Sequence, residues 1–175
     1  MPEFIYYVAA SLDGYIATPE GDVNWLSPFE SSDQDYGYSK FYESVEATVM
    51  GSRTYEQILS FGEWPYPEKS CCVFSQRHLK TKQPEVTLTN KSPKEVVPEL
   101  EGRNLRRIWL VGGAKLATAF RKEGLITEYI ISVMPVILGA GIPLFEPHSM
   151  PENLRLVGTE SYSDGVIQLR YLRIQ

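Results

Sequence analysis

The run Arg107-Ile108-Trp109-Leu110-Val111-Gly112-Gly113-Ala114-Lys115-Leu116 constrains this chain most. An apolar strand leads straight into two glycines, and a helical pattern follows. Glycine at that place lets the backbone touch a ligand where a Cβ would block the approach. The helix behind it offers free N–H groups at its N-terminus to an anion. A second segment, Ala47-Thr48-Val49-Met50-Gly51-Ser52-Arg53-Thr54-Tyr55, repeats the plan of strand, glycine and helix start. It adds two hydroxyls, Ser52 and Thr54, and a cation, Arg53, that can fork onto a phosphate. Two such junctions predict a phosphate-bearing cofactor held between them. The plainer alternative is a pair of tight turns with a solvated Arg53. Neither segment is a G-x-G-x-x-G fingerprint or a P-loop.

Strands and helices alternate around these junctions. Phe4 to Ala10 reads as a strand buried on both faces. Ser11 to about Ser32 is a long irregular stretch punctuated by Asp13-Gly14, Pro19-Glu20-Gly21-Asp22 and Ser27-Pro28. Gln34 to Val45 reads as a helix with Asp33 as N-cap, and Gly37 is its weak point. A strand over Thr48–Met50 precedes a short helix over Thr54–Leu59. Further strands are expected at Ser70–Ser75 and Glu85–Leu88. Ser92-Pro93-Lys94-Glu95 has the form of a capping box. The strand Ile108–Val111 feeds a helix from Ala114 to Glu123, closed by Gly124. Thr127–Val133 is a strand, and Leu154–Tyr162 with Val166–Ile174 flank the hairpin turn Ser163-Asp164-Gly165. The pattern predicts a single α/β domain over residues 1–175. It is a three-layer αβα sandwich with a mixed, mostly parallel sheet and an antiparallel C-terminal hairpin.

A third segment, Phe74-Ser75-Gln76-Arg77-His78, lies just past a predicted strand end, where open α/β sheets bind ligands. Ser75 and Arg77 can hold a further phosphate, or the segment is a surface turn. All three segments sit at carboxyl ends of strands and so along one sheet edge. Asp13 is either a turn residue or a carboxylate in a ligand-binding loop. Asp33 and Asp35 favour capping and dipole complementation over catalysis. Trp25 and Tyr42 are candidate pocket walls.

Other classes find little support. The chain has 175 residues and a net charge of −5 with no basic run, which argues against a nucleic-acid surface. No apolar stretch approaches the ~20 residues of a membrane helix, and the first residues lack the order of a signal peptide. A soluble, cytoplasmic protein is expected. Cys71 and Cys72 are adjacent, so on a strand they point to opposite faces and share neither a metal nor a disulfide. His78 and His148 have no partners at metal spacing, and no metal is expected.

The ordered set of segments resembles the dihydrofolate reductase superfamily. Within it the chain is similar to the C-terminal reductase domain of the bifunctional riboflavin-biosynthesis deaminase–reductase. Val8 to Ala17 is similar to the first strand and mobile loop. Val49 to Glu56, Val73 to Arg77 and Leu110 to Leu116 are similar to the cofactor-binding segments. Pro135 to Phe145 is close to a segment of the riboflavin-type branch. The resemblance implies an NADPH-dependent reductase that transfers hydride to a C=N-type bond of a pteridine- or pyrimidine-like substrate. It implies that Arg53, Thr54, Ser75 and Arg77 hold cofactor phosphates, with Gly51, Ser52 and Gln76 among the cofactor-binding residues. Val111, Gly112, Gly113, Ala114, Lys115 and Leu116 form the pyrophosphate bed, with the glycine–glycine bond typically cis. Ile16 and Ala17 cover the nicotinamide, and Ala9 lies beneath it. Asp33 or Asp35 stands near the family's substrate carboxylate. A homodimer is implied as well. The alternative is a non-catalytic NADPH- or nucleotide-binding protein that retains the fold. One departure is that Ser52 separates Gly51 from Arg53, where dihydrofolate reductase has the arginine directly after its glycine.

Overall fold

The computed structural model describes residues 1–148 and 150–175. Its strands are β1 (Glu3–Ser11), β2 (Tyr15–Ala17), β3 (Ala47–Gly51), β4 (Ser70–Phe74), β5 (Val86–Thr89), β6 (Arg107–Gly112), β7 (Ile126–Met134), β8 (Ile142–Pro143), β9 (Leu154–Ser161) and β10 (Ile167–Arg173). The helices are α1 (Ser27–Glu30), α2 (Tyr38–Ser44), α3 (Ser52–Ser60), α4 (Pro93–Gly102) and α5 (Ala114–Lys122). Eight strands form one sheet in the order β5-β4-β3-β6-β1-β7-β10-β9. The ladders are parallel from β5 to β7 and antiparallel at β7–β10–β9. This is the mostly parallel sandwich with a C-terminal hairpin that the pattern predicts. Among the described residues no helix is long and apolar enough to cross a membrane.

Both faces of the sheet are covered, which is why β1 is apolar at nearly every position. Phe4 and Tyr6 pack with Val96, Val97 and Leu100 of α4 and Ala117 and Phe120 of α5. Ile5 and Tyr7 face the other way, against Phe41 of α2 and Tyr55 and Ile58 of α3. The two cysteines obey the same alternation. Cys71 lies on the α2–α3 side and Cys72 on the α4–α5 side, and burial pushes their thiols up to about 12 and about 11. Buried Glu128 on β7 is paired with Arg170 of β10 and, at 3.2 Å, with Arg107 of β6. That triad ties β6, β7 and β10 together on the side away from the carboxyl edge.

The capping box is present: Ser92 Oγ accepts from Glu95 N at 3.4 Å, and Ser92 N donates to the Glu95 carboxylate at 2.8 Å. The expected helix over Gln34–Val45 is shorter than the pattern suggests. It begins at Tyr38, with Gly37 in the left-handed region at φ +79° as its N-cap. Asp33 is therefore not the cap. Asp35 takes that work, accepting from Gly37 N at 2.9 Å and Ser39 N at 3.2 Å. A short carboxylate that bonds the backbone two and four residues on competes with helix and holds residues 33–37 as a turn. The long irregular stretch also contains more structure than expected, namely β2, a 3-10 turn at Asn24–Leu26, and α1.

Phe120 carries the tightest aromatic contact on the α4–α5 side. It is fully buried, with its ring 4.9 Å from Phe4 and 5.6 Å from Phe74, both edge-on. Phe120→Ala is expected to cost about 3–5 kcal/mol of unfolding free energy, read from denaturant midpoints.

Candidate functional site

Register brings the predicted junctions to one edge. Gly51 is level with Phe74, Phe74 with Thr89, and Met50 with Gly112. The carboxyl ends of β3, β4, β5 and β6 thus line up. At this edge the sheet splits. The β1–β6 ladder ends at Tyr6 and Leu110, yet β6 continues beside β3 to Gly112 and β1 continues beside β7 to Ser11. A crevice opens between Tyr7–Ser11 and Val111–Gly112, the kind of place where open α/β sheets take ligands. The Trp109 indole donates to the Tyr7 carbonyl at 3.1 Å and satisfies one acceptor exposed by the parting.

The two glycine junctions meet there. A Cβ on Gly51 would stand 3.9 Å from both Gly112 O and Gly113 N, and one on Gly113 would stand 3.4 Å from Thr54 Oγ1. Gly112 has φ +127°, and the Gly112–Gly113 bond is cis. Gly113 is the extended N-cap of α5 and Gly51 that of α3, and neither cap has a side-chain partner for the helix amides. Two helix N-termini therefore open on one backbone-lined crevice, with Ala114 buried and Lys115 exposed beside it. Arg53 is exposed on the first turn of α3.

The third segment is a fixed turn. Ser75 Oγ accepts from Arg77 N at 3.0 Å and donates to Arg77 O at 2.8 Å. Gln76 donates to Asn90 O at 3.3 Å. Arg77 reaches back to α3, 2.5 Å from Glu56 and 3.4 Å from Ser52 Oγ. A cavity of about 610 Å³ lies beside this turn, lined also by Thr89, Asn90 and Lys91. Those three were not singled out by sequence reasoning. The signal was there, since they follow another strand's carboxyl end, but the capping box at Ser92 accounted for the segment on its own.

The loop after β1 is held from the C-terminal half of the chain. Asp13 accepts from Ser11 Oγ at 2.6 Å, Leu138 N at 3.1 Å and Gly139 N at 2.8 Å, and these bonds hold its carboxyl below the usual carboxylate range. β2 pairs with β8, and Gly141 passes so close to the Ala17 carbonyl that a Cβ there would collide with it. Ile16 packs toward α5 with Leu116 and Leu144, whereas Ala9 shares the strand face of Ile5 and Tyr7. Ala17 is buried at the loop's base.

Across the split the wall is aromatic. Tyr7 stacks on Phe41 at 4.1 Å and meets Trp109 and Tyr38 at 5.8 and 6.3 Å. Burial pushes the Tyr7 hydroxyl up to about 12. Tyr42 stands behind this wall, between Tyr38, Tyr66 and the Lys69 ammonium. Asp33 is exposed in a cleft of about 330 Å³ with Tyr162 and Asp164, while Asp35 is ionised and committed to capping α2. Trp25 lies in the 3-10 turn, its indole N–H buried without a partner among the described residues. Among the described residues no group of three or more metal-ligating side chains occurs.

A family model described as the RibD C-terminal domain matches residues 2–168. The chain belongs to that family. The Bacillus subtilis protein YwjB is 39% identical over 97% of both chains. A second Bacillus subtilis protein, YyaP, is 31% identical over 94% of this chain and 91% of its own. Among solved structures, a Shewanella sp. PV-4 protein named for riboflavin biosynthesis superposes with a TM-score of 0.90 at 30% identity, covering 99% of each chain. The Thermotoga maritima deaminase–reductase has the same fold, with a TM-score of 0.76 at 18% identity, and this chain spans 57% of it. Family and fold agree on the mixed, mostly parallel αβα architecture.

The Asp13 clamp makes a specific expectation. In Asp13→Ala, the amides of Leu138 and Gly139 exchange hydrogen faster than in the parent, while amides in β6 do not change. Because the native carboxyl titrates below its unfolded value, the parent clamp persists through neutral and mildly acidic pH. It is lost only as pH falls through the depressed native value.

Proposed function

We propose that the protein is an NADPH-dependent reductase that transfers hydride to a C=N-type bond of a small pteridine- or pyrimidine-like heterocycle. The observation that carries this reading is the contact of the two glycine junctions. Gly51 faces the Gly112–Gly113 peptide with no Cβ on either side, and the N-termini of α3 and α5 open beside it. Such a bed suits a pyrophosphate, which needs N–H donors at close range and no side chain in the way. Arg53, Thr54 and Ser52 stand at its α3 side. The turn of Ser75, Gln76 and Arg77 and the adjoining cavity suit an adenosine with a 2′-phosphate.

When bound, NADPH supplies the hydride. The chain's own part is to position and to exclude water. Ala9 offers a small side chain at the crevice floor, so a flat ring can lie against the strand. Ile16 and Ala17, held by β8 and Asp13, form a cover on the α5 side. Tyr7 remains protonated at neutral pH and presents a neutral donor on the opposite wall. Asp33, exposed in the cleft beside the hairpin turn, is assigned to substrate binding.

We also propose a homodimer. β9 is the edge strand of the sheet, and Leu156 and Val157 on it, with Ile167 on β10, are exposed. An apolar edge of this kind asks for cover by a second chain. Sedimentation at micromolar concentration is expected to give a dimer, and a monomer would sink this assignment.

Titration with NADPH and NADH tests the cofactor. NADPH is expected to bind more tightly, and Arg77→Ala to weaken NADPH by at least about tenfold while sparing NADH. Equal weakening of both cofactors, or no binding by the parent, would overturn the assignment. Turnover of NADPH with dihydropterin or ribosylaminouracil-type substrates separates a reductase from a protein that only binds the nucleotide.

A further inference from the structure

Two of the cations that line the adenosine cavity, Arg77 and Lys91, already have anionic partners. Arg77 Nη2 lies 2.5 Å from Glu56 Oε1, and Lys91 is paired with Glu99. Glu56 sits one turn into α3, four residues after Ser52, so both face the same side of the helix and both reach Arg77. Ser75 does not compete for the guanidinium, because its hydroxyl closes the turn on the Arg77 backbone. The guanidinium thus has two side-chain partners on α3, and one of them is negative.

We infer that Glu56 is a specificity-determining residue that occupies the Arg77 guanidinium where the cofactor's 2′-phosphate would dock, and so restrains the preference for NADPH over NADH. The inference rests on the NADPH reading of the cleft. A phosphate that engages Arg77 must displace Glu56 or share the fork with it, and the carboxylate left beside the phosphate repels it. A ribose that carries only a 2′-hydroxyl meets no such conflict. It can donate to the carboxylate, the arrangement by which acidic side chains favour NADH. Glu56 therefore opposes Arg77 in cofactor choice while positioning it. Arg77 and Glu56 are about half exposed, at 56% and 45%, so solvent screens the pair and the effect is moderate.

The test uses the full chain and calorimetric titration with adenosine 2′,5′-bisphosphate, adenosine 5′-phosphate, NADPH and NADH. Glu56→Gln is expected to tighten NADPH and the bisphosphate by about three- to tenfold and to leave NADH and the monophosphate unchanged or weaker. In an Arg77→Met background the gain is expected to shrink, because the competition for the guanidinium is gone and only the carboxylate's repulsion of the phosphate is relieved. A general effect on folding would move all four ligands together and would not depend on Arg77. If the parent binds NADPH but Glu56→Gln leaves its affinity unchanged or lowers it, this inference fails and the cofactor reading stands. If the parent binds neither NADPH nor the bisphosphate, the cofactor reading fails and takes this inference with it.

Discussion

The ladder between β1 and β6 stops at Tyr6 and Leu110, while both strands go on for several residues with other partners. The cleft exists because of that parting. Had β6 stayed beside β1, hydrogen bonds would have closed the edge and no crevice would reach the sheet. Three features accommodate the divergence. The register of β3 against β6 shifts between Val49 and Met50, Gly112 takes a φ that side chains rarely adopt, and the Trp109 indole covers the Tyr7 carbonyl. Each makes up for part of the lost ladder, and each lies within a residue or two of the crevice.

A split edge alone is a shallow groove. It gains a cover because the segment after β7 returns over the segment after β1. The contacts are mostly backbone ones: the β2–β8 pair, Leu12 N to Val136 O at 2.8 Å, and Leu144 N to Gly14 O at 2.8 Å. Asp13 adds a side-chain tie to these backbone ones, since its carboxylate takes two amides of the opposite segment, Leu138 N and Gly139 N. This explains why a turn residue and a glycine-rich stretch more than a hundred positions apart behave as one unit. It also answers the choice left open for Asp13. The residue forms the turn and its carboxylate is engaged, by protein amides.

What could be read from the sequence was what depends on local order. The glycine junctions, the capping box and the opposed cysteines follow from spacing along one strand or helix, and each stands where the pattern put it. What could not be read depends on pairing across the fold. Nothing near Leu110 says that β1 leaves β6 there, since the strand remains apolar throughout. The start of α2 was misjudged because Asp33 and Asp35 are equally good caps by type. The choice fell to Asp35 once Gly37 adopted a left-handed turn and Tyr36 was fastened to Asp164 and, through its carbonyl, to Gln168. The match of Arg77 with Glu56 joins residues 21 apart on different elements, and no local rule exposes it.

The aromatic wall shows how packing limits the chemistry open to the site. Tyr7 is held by Phe41 in a stack and by Trp109 edge-on, and Trp109 is held in turn by Tyr38 and Tyr66. Such a cluster is rigid, since each ring has few rotamers and its neighbours block them. It is also dry, and dryness disfavours phenolate. Burial lifts Tyr7 and Tyr38 to about 12 and Tyr66 higher still. These hydroxyls stay neutral across the physiological range, as do the thiols of Cys71 and Cys72. The wall can therefore present neutral hydroxyls to the crevice, but these side chains do not change charge near neutral pH.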